Sequence, residues 1–152
     1  MVELGQTVKA AQVQLDINRM KRHFDLLCEL MHKARKLGIK LLVGTDTGNN
    51  SFTPYGELHA KELEIFVKHG GYTPMEAIVA ATRDNAYAVG LEGQVGELAP
   101  GKLADIIVLN KDPIADITVL QGGKHLTWVI KDGKIVDLDR PDEALTFQQA
   151  AE

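Results

Sequence analysis

The chain has 152 residues, 45% of them hydrophobic, which suffices for one packed domain or for a domain with a small addition. Its 17 Lys and Arg are outnumbered by 21 Asp and Glu, the net charge is −4, and no basic stripe follows the chain, which argues against a nucleic-acid partner. The lone cysteine, Cys28, excludes an internal disulfide framework, and the apolar runs are too short to span a bilayer, so we expect a cytoplasmic protein with no membrane partner.

A long helix is predicted first, over residues 15–37. Gly38 supplies its end, because glycine readily adopts the left-handed conformation that stops a helix. The next run, IKLLV at 39–43, is short, apolar and partly β-branched, and it predicts a buried strand. Apolar residues spaced alternately by three and four form one stripe along the helix: Ile17, Met20, Phe24, Leu27, Met31 and Ala34.

Two further helices follow a polar loop. One covers residues 58–69, and the next begins in the run TPME, a capping box in which Thr73 is the N-cap and Glu76 bonds back to it. The run RDNAYAVG predicts one more short helix. Asp84 is its predicted cap and Gly90 its predicted end.

The composition changes at Gly93, where turn glycines and a proline precede a β-rich run at 105–109. Two later strand-like runs are joined by Asp132-Gly133, which is typical of a tight hairpin. Trp128 alternates with apolar residues on the first of these runs, so we expect it in the core.

The segment KLLVGTDTG, residues 40–48, contains the candidate site. Asp46 directly follows the predicted strand, and the carboxyl ends of strands are where open α/β sheets and β/α barrels bind ligands. An aspartate that only caps its own loop is the alternative. Thr47 and Asn49 offer a hydroxyl and an amide for substrate binding, and they could equally be solvated loop residues. His59 lies close in sequence and is a further candidate, although a lone histidine is more often a surface residue than a ligand.

Several runs, taken in order, resemble the C-terminal part of the amidohydrolase superfamily. GTD at 44–46 is followed by the helical run from 57 to 91, then by GELAPGKLAD at 96–105, and then by VIKDG at 129–133. The last two runs are the most specific. The resemblance extends from about residue 15 to 137. Within the superfamily, the sequence is most similar to the branch of imidazolonepropionase-like and Xaa-Pro dipeptidase-like metal-dependent hydrolases.

The resemblance implies an α/β fold made of the last helix-strand-helix units of a β/α (TIM-type) barrel and part of a small β-sandwich. Residues 1–92 would form the barrel segment, with its last strand at 40–46, residues 93–140 would form sandwich strands, and residues 141–152 a tail. A closed eight-stranded barrel takes about 250 residues, so this likeness implies a fragment, a split subunit or a truncated relative.

The resemblance also implies a function, the hydrolysis of C–N bonds in small amides, cyclic amides or dipeptides by water activated on a divalent metal, with zinc expected. Asp46 would be both a metal ligand and the proton shuttle. The family's other ligands, an H-x-H pair, a bridging lysine or carboxylate and two more histidines, are not found in this sequence. We therefore expect the chain alone to bind no metal tightly, to be inactive, and to self-associate or to pair with a missing N-terminal part.

Two other interpretations stay open. In one, the chain is a non-catalytic association module that uses its apolar face for assembly. In the other, Asp46 is a phosphoacceptor like that of receiver domains, which would also require an upstream acidic pair and a later strand-end lysine.

Overall fold

The structure is a computed structural model that describes residues 2–47 and 57–137. A π-helical turn at Ala80–Asp84 joins two of the helices, and a 3₁₀ turn lies at Ile117–Leu120. The helices are α1 (Val2–Lys36), α2 (Glu57–Lys68), α3 (Pro74–Val79) and α4 (Asn85–Ala88), and the strands are β1 (Ile106–Leu109), β2 (Leu126–Lys131) and β3 (Lys134–Ile135). Helices thus come first in the described residues and a small sheet follows.

Helix α1 begins earlier than the helix predicted from the apolar stripe at 15–37. The residues before the stripe contain no proline and are mostly compatible with a helix. Its end agrees with the prediction, since Gly38 has a φ of 72°. Most of the stripe is not buried: Met20 is 71% and Leu27 54% exposed, and Met31 packs against the core near the helix end. No helix in the described ranges combines the length and the apolar character needed to cross a membrane.

The core lies where α2, α3 and the 3₁₀ turn meet. Ile117 of the 3₁₀ turn is 5% exposed, so the part of the chain that carries the sheet also contributes to this core. The buried cluster consists of Leu63, Phe66, Ala77, Ala80 and Ile117.

The capping box at α3 is confirmed. The Thr73 hydroxyl accepts a hydrogen bond from the Glu76 N–H at 3.3 Å, and the Glu76 carboxylate accepts one from the Thr73 N–H at 2.8 Å. The prediction that Asp84 caps a separate helix is wrong. Asp84 has helical φ and ψ and makes no cap bond, because the helix continues from α3 through the π turn into α4 and leaves no free N–H groups there. Gly90, with a φ of 71°, ends it as predicted.

The sheet has the strand order β1-β2-β3 with antiparallel pairing. The predicted hairpin is confirmed: Asp132 and Gly133 have φ values of 51° and 73°, as a type I′ turn requires. The Asp105 carboxylate holds this turn by accepting hydrogen bonds from the Asp132 N–H at 2.8 Å and from the Lys131 ammonium at 2.7 Å.

The burial predicted for Trp128 is wrong, since its side chain is 49% exposed. Pairing β2 with its neighbours satisfies backbone groups, but it covers neither face of the sheet. A sheet face is buried only when a second layer packs on it.

Glu64 connects α2 to the 3₁₀ turn region. Its buried carboxylate accepts hydrogen bonds from Lys61 at 2.6 Å, from Lys68, and from the Gln121 amide at 2.8 Å. The bonds from the two lysines and from Gln121 lower the pKa of Glu64 to about 2. We expect the stability gained from this charge to be present above the ordinary glutamate pKa and to be lost as the pH falls through the folded-state pKa.

Glu64→Gln should therefore destabilise the protein at pH 7, and the difference from the unsubstituted chain should shrink as the pH falls from about 4.5 towards 2. Urea unfolding at a series of pH values measures this. Glu92→Gln, the same change at an exposed residue, is the control. A difference that stays constant over this range would contradict the assignment.

Gly96 packs on the π turn at a φ of 87°, and a Cβ added there would lie 2.8 Å from the Cα of Arg83. Gly96→Ala should lower the free energy of unfolding by about 2–4 kcal/mol, from the left-handed backbone and the contact together. Gly93→Ala is the matched control, because Gly93 has a φ of 79° with nothing within 4 Å of the added Cβ. Gly93→Ala should lower the free energy of unfolding by about 1–2 kcal/mol. Equal losses in chemical unfolding would show that the contact is unimportant.

Candidate functional site

Segment 39–47, the chain that leads to Asp46, lies against the core without a strand partner. The prediction of a strand at 39–43 is wrong. No β-pairing is formed there, because a strand requires a neighbouring strand and none lies beside this segment in the described residues. Leu41 and Val43 still pack against the core while Leu42 is 38% exposed, the alternation typical of extended chain.

The backbone of this segment is bonded instead to a side chain of the helix. The Val43 N–H donates to Oδ1 of Asn85 at 3.0 Å, and Nδ2 of Asn85 donates to the Val43 carbonyl at 2.8 Å. We call this pair of hydrogen bonds the Asn85 bridge. It satisfies both backbone groups of a half-buried residue.

Two ion pairs also join the chain around segment 39–47 to the helix that contains Asn85. Lys40 lies 3.5 Å from the carboxylate of Asp84, whose side chain is 15% exposed. Arg35, at the end of α1, donates to Glu76 at 2.6 Å and stacks 4.4 Å from the centre of the Tyr72 ring. The hydrogen bond from Arg35, as the largest cause, and the capping bonds from Thr73 together lower the pKa of Glu76 to about 2. Residues 35–43 are thus held along the helix from 74 to 88 at several points.

Asp46 has a φ of 47°, in the left-handed region that is uncommon for a residue other than glycine. Its side chain is exposed, and on either side the hydroxyls of Thr45 and Thr47 form a hydrogen bond of 3.0 Å. Asp46 makes no hydrogen bond to any described side chain or backbone group. Because residues 48–56 lie outside the described part of the chain, the alternative that Asp46 caps its own loop stays open.

The predicted substrate-binding residues have different positions. Thr47 is half-buried beside Asp46 and bonded to Thr45. His59 is exposed on the first turn of α2, and within the described residues no hydrogen bond or ion pair connects it to Asp46. Asn49 lies outside the described residues.

The described residues offer few ligands for the implied metal. Asp46 offers carboxylate oxygens, whereas a catalytic zinc takes about three protein ligands. In the ranges 2–47 and 57–137, no group of three or more His, Cys, Asp and Glu side chains is arranged to hold a metal ion. The described residues therefore do not make a metal site by themselves.

Comparison with known proteins gives the family. The model of the Amidohydrolase family matches residues 4–136, and the chain belongs to this family. The resemblance seen in the sequence is thereby confirmed, and hydrolysis is the activity of the family.

Two curated relatives illustrate the similarity. Ochratoxinase of Aspergillus niger is 41% identical over 103 residues, which cover 67% of this chain and 20% of the relative. Imidazolonepropionase of Geobacillus kaustophilus is 44% identical over 74 residues, which cover 49% of this chain and 18% of the relative. The chain therefore spans about a fifth of the length of these relatives.

Solved structures agree with the family. The crystal structure of the Aspergillus niger ochratoxinase matches with a TM-score of 0.63 at 38% identity, over 71% of this chain and 24% of that one. A Xaa-Pro dipeptidase with methionine bound in its active site matches with a TM-score of 0.62 at 34% identity, over 72% of this chain and 25% of that one. The described helices and sheet thus share the arrangement of one part of amidohydrolase structures.

The Asn85 bridge was missed by sequence reasoning. Asn85 lies within the run predicted to be a short helix, where asparagine is a weak helix former but not an unusual one. The bridge joins positions 42 apart, and no local pattern indicates which backbone group such a side chain will bond.

Proposed function

We propose that this chain supplies an acid–base carboxylate, Asp46, to a hydrolase that cleaves C–N bonds in small amides, cyclic amides or dipeptides. The observation that carries the proposal is the left-handed backbone of Asp46 next to a segment bonded to the helix through Asn85. Such a conformation costs about 1–3 kcal/mol and is concentrated at functional sites. The family and the name of the Xaa-Pro dipeptidase relative support a hydrolase and a dipeptide as substrate.

In this proposal residues 1–92 are the last units of a β/α barrel and residues 93–140 belong to a small β-sandwich. The tail predicted at 141–152 lies outside the described residues. Residues 40–46 would form the last barrel strand once the chain is joined to the rest of the barrel. Their alternating burial supports this placement, because successive residues of a strand face opposite sides. The remaining barrel wall comes from chain outside these units.

Asp46 would be one ligand of a divalent metal, zinc by family likeness, and the other ligands would come from that remaining wall. When bound, the metal lowers the pKa of water from near 16 to about 7. Asp46 accepts a proton from the attacking water and returns it to the departing nitrogen, which is a poor leaving group unless it is protonated. Thr47, Asn49 and His59 bind the substrate.

Asp46→Asn tests the role of the charge. Asparagine has nearly the same shape and tolerates a positive φ, so the substitution removes the proton carrier and leaves the backbone conformation accessible. We would join the chain to the remaining barrel of the Aspergillus niger ochratoxinase, add zinc, and assay a Xaa-Pro dipeptide, an acyl amino-acid amide and a cyclic amide. Hydrolysis should be restored by joining, and kcat should fall by at least about 100-fold in Asp46→Asn.

The control is Asp16→Asn, the same change at an exposed position of α1, which should leave kcat unchanged. The chain by itself should hydrolyse none of the substrates. If Asp46→Asn retained the activity of the joined protein, the catalytic assignment would be wrong.

A second candidate function is supported by an apolar groove between α1 and α2. The groove has a volume of about 490 Å³ and includes Phe24, Leu27, Met31 and Ile65 in its lining. Glu62 also lines it, and burial raises the pKa of that carboxyl group. With the exposed stripe of α1, this groove offers an apolar face for association of the chain with itself or with a missing N-terminal part.

Leu27→Lys tests this association, because it places a charge in the groove. The unsubstituted chain should show a mass that rises with concentration in sedimentation or light scattering, and Leu27→Lys should weaken the association by at least about tenfold, since burying an unpaired charge is costly. Gln14→Lys adds the same charge elsewhere on α1 and should have little effect. A stable monomer at every concentration would argue against the association module.

A further inference from the structure

We propose that Asn85 is a positioning residue for Asp46: its side-chain amide takes the place of a neighbouring strand at Val43 and so fixes the backbone that leads to the carboxylate. The inference deepens the proposed function and depends on it for the role of Asp46. The bridge itself is a property of the fold and can be tested without any activity.

The geometry of the bridge restricts the backbone in two ways at once. In an antiparallel sheet, a residue of a hydrogen-bonded pair donates its N–H to the partner residue and accepts a hydrogen bond from the same residue with its carbonyl. Asn85 reproduces this pattern with one planar amide, since Oδ1 accepts from the Val43 N–H at 3.0 Å and Nδ2 donates to the Val43 carbonyl at 2.8 Å. Two bonds to one residue fix the position and also the rotation of its peptide groups.

Asparagine is well suited to this task among the amino acids. Its short amide carries a donor and an acceptor held in one plane. Aspartate at position 85 would keep the acceptor for the Val43 N–H but would face the Val43 carbonyl with a second acceptor. Alanine would remove both partners and leave two polar groups of a half-buried residue unsatisfied.

The bridge lies close to Asp46 along a chain with few other constraints. Val43 is three residues before Asp46, and the intervening Gly44 has no side chain to hold it and nothing within 4 Å of a Cβ position. On the far side, the bond between Thr45 and Thr47 limits the loop locally but does not tie it to the helix. Of the hydrogen bonds and ion pairs described between the helix and the segment before Asp46, the Asn85 bridge is therefore the one nearest to Asp46, after the pair of Lys40 with Asp84.

Hydrogen exchange on the chain alone tests the bridge. We would measure the exchange rate of the Val43 amide relative to that of Leu63, a core residue of α2, so that a general loss of stability cancels. In Asn85→Ala this ratio should rise by about tenfold, as expected for the loss of one hydrogen bond. In Asn85→Asp, which keeps the acceptor, it should rise much less. Asn18→Ala, at an exposed asparagine bonded only within α1, is the control. An unchanged ratio in Asn85→Ala would overturn the proposal.

The joined protein tests the link to Asp46. Asn85→Ala should lower kcat by about 100-fold with little change in KM, because misplacing a catalytic group by about 1 Å has an effect of this size. Asn85→Asp should retain more activity than Asn85→Ala. An unchanged kcat in Asn85→Ala, together with a large loss in Asp46→Asn, would overturn the positioning role and leave the proposed function intact. If Asp46→Asn had no effect while the Val43 amide still lost protection, the bridge would stand and the catalytic assignment would fail.

Discussion

The constraint on which the candidate site depends is the need to satisfy the backbone of segment 39–47. Buried N–H and carbonyl groups are nearly always hydrogen-bonded, and a strand normally achieves this through a neighbouring strand. Here the neighbours are not in the described residues, and Asn85 bonds both groups of Val43. Leu41 and Val43 pack against the core beside this contact, and in the proposed account the contact positions the backbone from which Asp46 projects.

Local features of the fold could be predicted from the sequence because a few adjacent residues determine them. The capping box of Thr73 and Glu76 needs only a helix start, and the Asp132-Gly133 turn needs only two residues that tolerate a positive φ. The family could be predicted for a related reason: GELAPGKLAD and VIKDG are contiguous runs, and the family model confirms the membership that they indicated.

The features that were missed all depend on which distant elements meet. Asp84 was predicted to cap a helix, yet the π turn continues the helix through it and the side chain pairs with Lys40. Trp128 was predicted to be buried, yet burial requires a second layer that periodicity along one strand cannot report. The Asn85 bridge joins residues 42 positions apart, and the sequence around Asn85 predicts only an ordinary helix. The position of Asp46 after the segment was predicted, whereas the contact that holds the segment could not be.

Whether Asp46 belongs to the reacting centre of a C–N hydrolase can be decided by a crystal structure of the chain joined to the remaining barrel and grown with zinc. We expect a carboxylate oxygen of Asp46 about 2.0–2.2 Å from the metal, with the Asn85 bridge intact. A metal fully coordinated by other residues, with the Asp46 side chain directed into bulk solvent away from it, would contradict the account.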